Sequence, residues 1–376
     1  MSLLLDEHRE YLADRHRVDA LRRAIHATVR SGDIVLDLGC GSGLLGLMAC
    51  AAGAARVYAV DDTGMIEIAR AIARASGTAD RITHIAGHST AIDLPERASV
   101  LVFDQIGRLG FEAGLLDFAL DARQRLLAPD ARIMPGPVSL HLALAASADI
   151  RSRIEFWDTR PAGIDTSPAR LTAANTGYPI EPEHVTLLSA PGQFMTLSAA
   201  GWDGEPLGGR AALAASRDAR VDGLAGWFDA ELAPGVRMSN APGLPDRINR
   251  RIAFLPFDPP VDLKAGESLV VSVRLLAADM ILAWDAARAD GGDRRSHSTW
   301  KGMLPVGEAR ARTRDDAVPA LTPRGLARRT VLELCDGRRT VGEIERRLRD
   351  AHPDLFPAGH EAAVFAAEVL SVYART

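Results

Sequence analysis

Cysteine is scarce in this chain: Cys40, Cys50 and Cys335 are the only three among 376 residues. Three scattered thiols build neither a disulfide framework nor a four-cysteine zinc site, so no metal and a reducing, cytoplasmic location are expected. Long hydrophobic runs are missing as well. The N-terminus meets Asp6, Glu7 and Arg9 after three leucines, and the longest apolar stretch, Leu44 to Ala55, is short and interrupted by glycine. Neither a signal peptide nor a membrane span is therefore expected. Positive charge is not in excess: 44 Lys+Arg against 49 Asp+Glu leave a net charge of −5, which argues against general nucleic-acid affinity. Low-complexity tracts are absent. What is present is apolar material, 47% of residues, in a length suited to two or three domains.

One further absence carries chemistry. The run Val35-Leu36-Asp37-Leu38-Gly39-Cys40-Gly41-Ser42-Gly43 is followed by an Ala/Leu-rich helix and by Arg56-Val57-Tyr58-Ala59-Val60-Asp61. Strand, glycine turn, helix and acid-ended strand make half of a nucleotide-binding unit, but the third glycine of a dinucleotide fingerprint is replaced by Leu44. A dinucleotide site needs that glycine for close helix packing, with pyrophosphate on the helix N-terminus, whereas S-adenosylmethionine has no phosphates. Its amino acid part needs close backbone approach at Gly39, Gly41 and Gly43, with Asp37 pairing its ammonium. Asp61 is placed to accept from both ribose hydroxyls, and Leu44 and Asp62 flank the same site. S-adenosylmethionine is the expected cofactor and methyl transfer the reaction class. The alternative is a tight α/β turn with no ligand.

Four segments follow along the chain. Residues 1–30 read as one amphipathic helix, with Leu12, Val18, Leu21 and Ile25 at helical spacing. Residues 31–135 alternate strands (34–38, 57–61, 82–86, 100–103) with helices such as 115–127, which predicts a Rossmann-like α/β domain with a parallel sheet. After Met134-Pro135-Gly136-Pro137 the chain turns β-rich, and residues 136–305 read as a barrel or sandwich of many short strands. An Arg/Asp-rich linker, 306–320, leads to a C-terminal unit, 321–376. The expected fold class is α/β plus β: a Rossmann-like domain, a β-barrel and a small winged-helix domain.

The run Leu127 to Pro135, the Asp37 to Gly43 motif, Gly226-Trp227-Phe228-Asp229 and Ser239-Asn240-Ala241-Pro242 together resemble the protein arginine methyltransferase family over about residues 5–305. The resemblance implies an acceptor peptide bound between the Rossmann domain and the barrel. It also implies that His8 and Asp14-Arg15-His16-Arg17 belong to a segment folding over the cofactor, with Arg17 gripping its carboxylate. Gly87-His88-Ser89-Thr90 resembles the adenine-contacting turn, in which Thr90 stands where the family has an acid.

The family holds the acceptor guanidinium on two glutamates after the fourth strand. A guanidinium is protonated in water and its lone pairs are delocalised, so carboxylates must draw the charge off the attacking nitrogen and aim it. Here the loop is Phe103-Asp104-Gln105-Ile106-Gly107-Arg108-Leu109-Gly110-Phe111-Glu112. Asp104 matches the first glutamate one methylene short, and Glu112 matches the second across a one-residue deletion. Family members also carry a histidine in a loop before a barrel strand; alignment through Lys264-Ala265-Gly266-Glu267 puts Ile248-Asn249-Arg250 there, so Asn249 takes the histidine's catalytic position. His297-Ser298-Thr299-Trp300 lies at the barrel's end and reads as structural, with Trp300 in the core and His297 at the surface. A peptide histidine is the alternative acceptor, because imidazole has an available lone pair near neutrality.

The last unit, around Leu334-Cys335-Asp336-Gly337-Arg338-Arg339-Thr340-Val341-Gly342-Glu343-Ile344, reads as helix, Asp-Gly turn, short strand position at the threonine, and helix. It resembles the PqqD-like family over residues 321–373. That resemblance implies a recognition element for ribosomally made, modified peptides, which adds the precursor's leader as a strand to a three-stranded edge. A winged helix for DNA and a plain structural cap are the competing readings, but acids interleave with its arginines. The joint expectation is an N-methyltransferase acting on arginine, or histidine, of a precursor peptide tethered by its leader. A small-metabolite methyltransferase and a non-catalytic peptide binder are the other readings. A homodimer is expected if residues 149–180 form the family's helical arm.

Overall fold

The computed structural model describes residues 3–277, 280–304 and 318–375, which fall into two units, 1–305 and 306–376. The first begins with two helices where one was expected: α1 (Leu4–Ala13) and α2 (Arg15–Thr28). Asp14 separates them. Its backbone is extended and its side chain accepts from the Arg17 amide, capping α2. An aspartate that can bond the backbone in this way competes with helix continuation.

The parallel sheet expected from the alternating pattern is present, in the order β3-β2-β1-β4-β5. Its strands are β1 (Ile34–Leu38), β2 (Arg56–Asp61), β3 (Ile82–Ala86), β4 (Ala98–Val102) and β5 (Leu127–Met134), and its helices are α3 (Leu44–Ala51), α4 (Met65–Ala75) and α5 (Leu115–Arg125). β1 and β2 are buried along nearly their whole length because helices cover both faces. Helix α4 turns Met65, Ile66, Ala69 and Ala73 inward, one apolar stripe. Reversal of strand order between β1 and β4 opens a crevice at the carboxyl ends of these strands, where Asp37, Asp61 and Asp104 lie or follow.

The β-rich segment forms two antiparallel sheets. One has the order β7-β13-β11-β6-β8, with β9 also on β6 and β12 also on β11; the other has the order β10-β14-β15-β16. The strands are β6 (Val138–Ala146), β7 (Tyr178–Ile180), β8 (Thr186–Leu187), β9 (Gly192–Leu197), β10 (Leu207–Ala214), β11 (Ala219–Ala233), β12 (Val236–Ser239), β13 (Ile252–Leu263), β14 (Ser268–Leu276), β15 (Ile281–Arg288) and β16 (Arg295–Ser298). β14 alternates buried and partly exposed positions, as a strand with one core face must. The Trp284 indole donates to Pro256 O at 2.9 Å and locks the two sheets together. His297 and Trp300 are reversed relative to expectation. His297 is buried between Trp284 and Phe257, with its imidazole pushed down to about 4 by burial, whereas Trp300 is 38% exposed. In a strand, side chains alternate between faces, and 297 is the position that faces inward.

Between β6 and β7 lie α6 (Ala148–Glu155) and the short α7 (Arg170–Ala174), and α8 (Thr299–Gly302) follows β16. The arm expected over 149–180 is thus helical only in part.

The second unit has a core of its own, made by Ala327, Val331, Ile344, Leu348, Phe356, Phe365 and Val369. Its helices are α9 (Pro323–Leu334), α10 (Val341–Ala351) and α11 (Gly359–Tyr373). Among its described residues there is no strand, so the winged-helix expectation is not met there. Thr340 is a helix cap: its side chain accepts from Glu343 N while Glu343 accepts from Thr340 N, a capping box. Most of the expected linker, 306–317, and any strands preceding α9 there lie outside the described residues.

Candidate active site

The glycine turn sits at the head of β1. Gly39, Gly41 and Gly43 have φ of 66°, 54° and 78°, the left-handed region in which a side chain is strained. Two side chains already approach this backbone closely. A Cβ on Gly41 would collide with the His8 imidazole from α1, and one on Gly39 with the Gln105 amide. Asp61 closes the turn from β2, with Oδ2 accepting from Gly41 N at 2.8 Å and Oδ1 accepting from Thr63 N at 2.9 Å.

Asp37 lies beneath the turn, fully buried. Oδ2 accepts from Gly46 N at 2.9 Å at the start of α3, and Oδ1 has no partner. Ser89 is buried with its Oγ equally unpartnered, while Thr90 is exposed and its hydroxyl bonds the His88 ring at 2.8 Å. Leu44 is half-buried at the first position of α3, and Asp62 is exposed. Buried polar atoms left without partners are rare in folded proteins and ask for one. The unpartnered Asp37 and Ser89 oxygens beside a glycine backbone open to close approach suit a ligand with an amino acid end and hydrogen-bonding groups. The residues present fit S-adenosylmethionine.

Burial pushes the Asp37 carboxyl up to about 7. In the unfolded chain an aspartate titrates near 3.9, so the folded state holds this proton longer. The stability it contributes is full below about pH 4 and is lost as pH rises through about 7. Asp37→Asn removes that loss. The cofactor-free variant should melt higher than the parent at about pH 8, with little difference at about pH 5, and should bind S-adenosylmethionine more weakly because an amide does not pair an ammonium charge. Thermal scans at the two pH values and a binding titration test this; an equal melting shift at both pH values would contradict it.

Asp104 follows β4 and is almost closed to solvent. Its Oδ2 takes the Arg17 guanidinium at 2.7 Å and Arg250 Nη2 at 3.2 Å, while Oδ1 is buried without a partner. Burial alone would raise this carboxyl, but the Arg250 and Arg17 guanidiniums outweigh it and hold Asp104 below the ordinary carboxylate value. Glu112 is arranged differently. Its carboxylate folds back into its own loop and accepts from the amides of Arg108, Leu109 and Phe111 at 2.9 to 3.3 Å. Burial, opposed by those amides, raises its pKa. Glu112 therefore staples the loop and lines a cavity of about 140 Å³ with Leu109, Tyr178 and Leu282.

The antiparallel sheets support this loop through Asn240, which is fully buried. Its side chain accepts from Phe228 N and donates to Arg108 O and Arg251 O. Asn249 takes part through its backbone alone: its N–H donates to Asp14 Oδ2 at 2.6 Å and its side chain is exposed. The side chain that this loop brings to Asp104 belongs to the next residue, Arg250. Sequence reasoning missed Arg250 and Gln105 as site residues, and only long-range contacts mark them. Among the described residues no group of three or more His, Cys, Asp or Glu is placed to hold a metal ion, and no helix is long and apolar enough to cross a membrane.

Residues 20–103 match a family model described as ribosomal protein L11 methyltransferase (PrmA). The arginine N(omega)-methyltransferase of Streptomyces achromogenes subsp. streptozoticus is 35% identical over 277 residues, covering 70% of this chain and 74% of that one. The chain belongs to the arginine N-methyltransferase family. Its methyl donor is S-adenosylmethionine, and it is a methyltransferase. Protein arginine N-methyltransferase 1 of Schizosaccharomyces pombe is 38% identical over 167 residues, 43% of this chain and 49% of that one. In structure, this family member resembles the Trypanosoma brucei PRMT1 enzyme-prozyme heterotetrameric complex with AdoHcy, with a TM-score of 0.68 at 23% identity, covering 77% of this chain and 96% of that one. That likeness confirms the Rossmann-like sheet followed by curled antiparallel sheets.

Proposed function

We propose that this enzyme methylates an Nω atom of an arginine side chain, with Asp104 receiving the guanidinium. The observation that carries this is the empty, buried Oδ1 of Asp104, beside an Oδ2 already held by Arg17 and Arg250. Bound S-adenosylmethionine would supply an electrophilic methyl group on its sulfonium: the S–CH3 bond breaks as the N–CH3 bond forms, S-adenosylhomocysteine is left, and one N–H proton passes to solvent. The glycine turn would admit its amino acid end, with Asp37 facing the ammonium and Arg17 the carboxylate; Asp61 and Asp62 would take the ribose side, and Leu44, Ser89 and Thr90 the adenine side. Asp104 would hold the acceptor N–H groups and concentrate the positive charge away from the attacking nitrogen, and Glu112 would keep the loop in shape.

The proposed acceptor is an arginine of a ribosomally made precursor peptide, its leader captured by residues 321–376. Support comes from the separate core of that unit and from the PqqD-like phrase around its Asp336-Gly337 turn, where Gly337 has φ of 73°. Tethering raises the local acceptor concentration to roughly millimolar, so a weak acceptor site suffices. A second reading, free arginine, is favoured by the Streptomyces relative, whose name specifies arginine and no protein. Mass spectrometry separates them. The full chain and a chain ending at Pro305 are each offered free arginine and, by co-expression, a precursor peptide encoded beside the gene. Peptide methylation lost on truncation supports the first reading, and undiminished methylation of free arginine by both supports the second. Methyl on histidine overturns the arginine assignment.

A homodimer is part of the same proposal. Phe156, Ile164 and Leu171 lie exposed within residues 149–180, where a partner copy would cover them.

A further inference from the structure

Asp104 is held asymmetrically. Arginine and carboxylate pair most strongly as two parallel bonds that use both oxygens. Here two guanidiniums converge on Oδ2, and Oδ1 stays empty in a place closed to water. Arg17 alone, with Nε and Nη2 both near Asp104, could have formed the two-oxygen pair. What occupies the remaining approach to Oδ2 is Arg250.

Arg250 is itself fixed from several sides. Its Nη1 donates to Gly107 O at 3.1 Å, its guanidinium lies 5.9 Å from the Phe228 ring centroid, and its side chain is 15% exposed. The preceding residue, Asn249, is tied to Asp14, the cap of α2, which carries Arg17. Both guanidiniums on Oδ2 are thereby anchored through one aspartate.

We propose that Arg250 is a positioning residue, which fixes the rotation of Asp104 so that Oδ1 alone is presented to the acceptor guanidinium. This rests on the reading that Asp104 receives the acceptor. It gives the loop before β13 an orienting role carried by an arginine, one residue after the position where the family resemblance leads one to look for a histidine. The charged and titratable groups around Asp104 are Arg17 and Tyr11 from the N-terminal helices, Arg250 from the barrel loop, and Arg108 and Glu112 from its own loop. Of these, Arg17 and Arg250 contact it.

The test is the pH dependence of kcat/KM in Arg250→Gln and Arg250→Lys, measured beside Asp104→Asn with the full chain and whichever of free arginine and the co-encoded precursor peptide the parent methylates. With Arg250 gone, Asp104 is protonated more readily, so the acid limb of the profile should move to higher pH by about one unit or more. On the plateau near pH 7 kcat should fall about 100-fold, because Asp104 is no longer held in one rotation, while the dissociation constant for S-adenosylmethionine changes less than about threefold. Arg250→Lys should restore a good part of the rate and return the limb toward the parent's. A uniform loss at every pH with no limb shift, or a rate within about threefold of the parent, overturns the proposal. If Arg250→Gln does not fold, the position of the limb in Arg250→Lys decides. Full activity in Asp104→Asn would instead strike at the reading beneath it, a distinct result.

Discussion

Asp104→Asn should lower kcat/KM by about 1,000-fold and leave the affinity for S-adenosylmethionine nearly unchanged. Asparagine keeps the shape of the side chain but removes the charge on which a protonated guanidinium depends, at a side chain only 6% exposed, where such a charge acts more strongly than in water. Asp104 Oδ1 has no other partner to satisfy, so its loss falls on the acceptor. The variant should also be less stable, because Arg17 and Arg250, 12% and 15% exposed at their side chains, would face a neutral amide. Breaking one side of a buried ion pair costs about 3–5 kcal/mol; partial exposure of the arginines puts the expected loss at the low end of that range. Steady-state kinetics, a cofactor titration and a thermal melt read the three effects separately. A variant within tenfold of the parent rate would remove Asp104 from the mechanism.

Gly41→Ala should abolish measurable cofactor binding while the fold survives. Two costs add. The residue stands at φ of 54°, where an L side chain costs about 1–2 kcal/mol, and the new methyl group would land on the His8 imidazole. The chain can relieve the collision by turning the His8 imidazole aside or by moving α1, which has no buried residue to hold it in place. Either way the methyl group stays on the turn and takes away the close backbone approach that the ligand needs. Gly32→Ala is the matched control, because Gly32 has φ of 89° and open space around its Cβ position. Both variants should lose a few degrees of melting temperature from backbone strain, but only Gly41→Ala should lose affinity, by at least about 100-fold. Equal affinities in the two would mean that the glycine serves the turn alone.

The parallel sheet was legible because its signals are local. Each of its first four strands is a short apolar run beside a turn, and β3 has the expected limits, Ile82–Ala86. The glycine turn and the acid ending β2 were legible for the same reason. What could not be read is what depends on pairing across distance: Arg250 and Asp104 lie 146 residues apart, and Asn249 and Asp14 lie 235 apart. No periodicity in an irregular loop distinguishes which of two adjacent residues points inward, and so Asn249 stood in the expectation where Arg250 stands in the fold. Thr340 shows the opposite case. The Thr-x-x-Glu spacing of a capping box was present in the sequence, but a β-branched residue after an Asp-Gly turn also suits a strand, and the hydrogen bonds with Glu343 decide for the helix.

Asp14 serves two elements at once. One carboxylate caps the helix bearing Arg17 and, through its other oxygen, holds the loop bearing Arg250. Withdrawing the N-terminal helices to expose the glycine turn would break the Asp14–Asn249 tie and take Arg17 off Asp104, leaving Arg250 as its remaining partner. On the reading that Asp104 receives the acceptor, the helices that cover the glycine turn thus also carry one of the two guanidiniums that orient it.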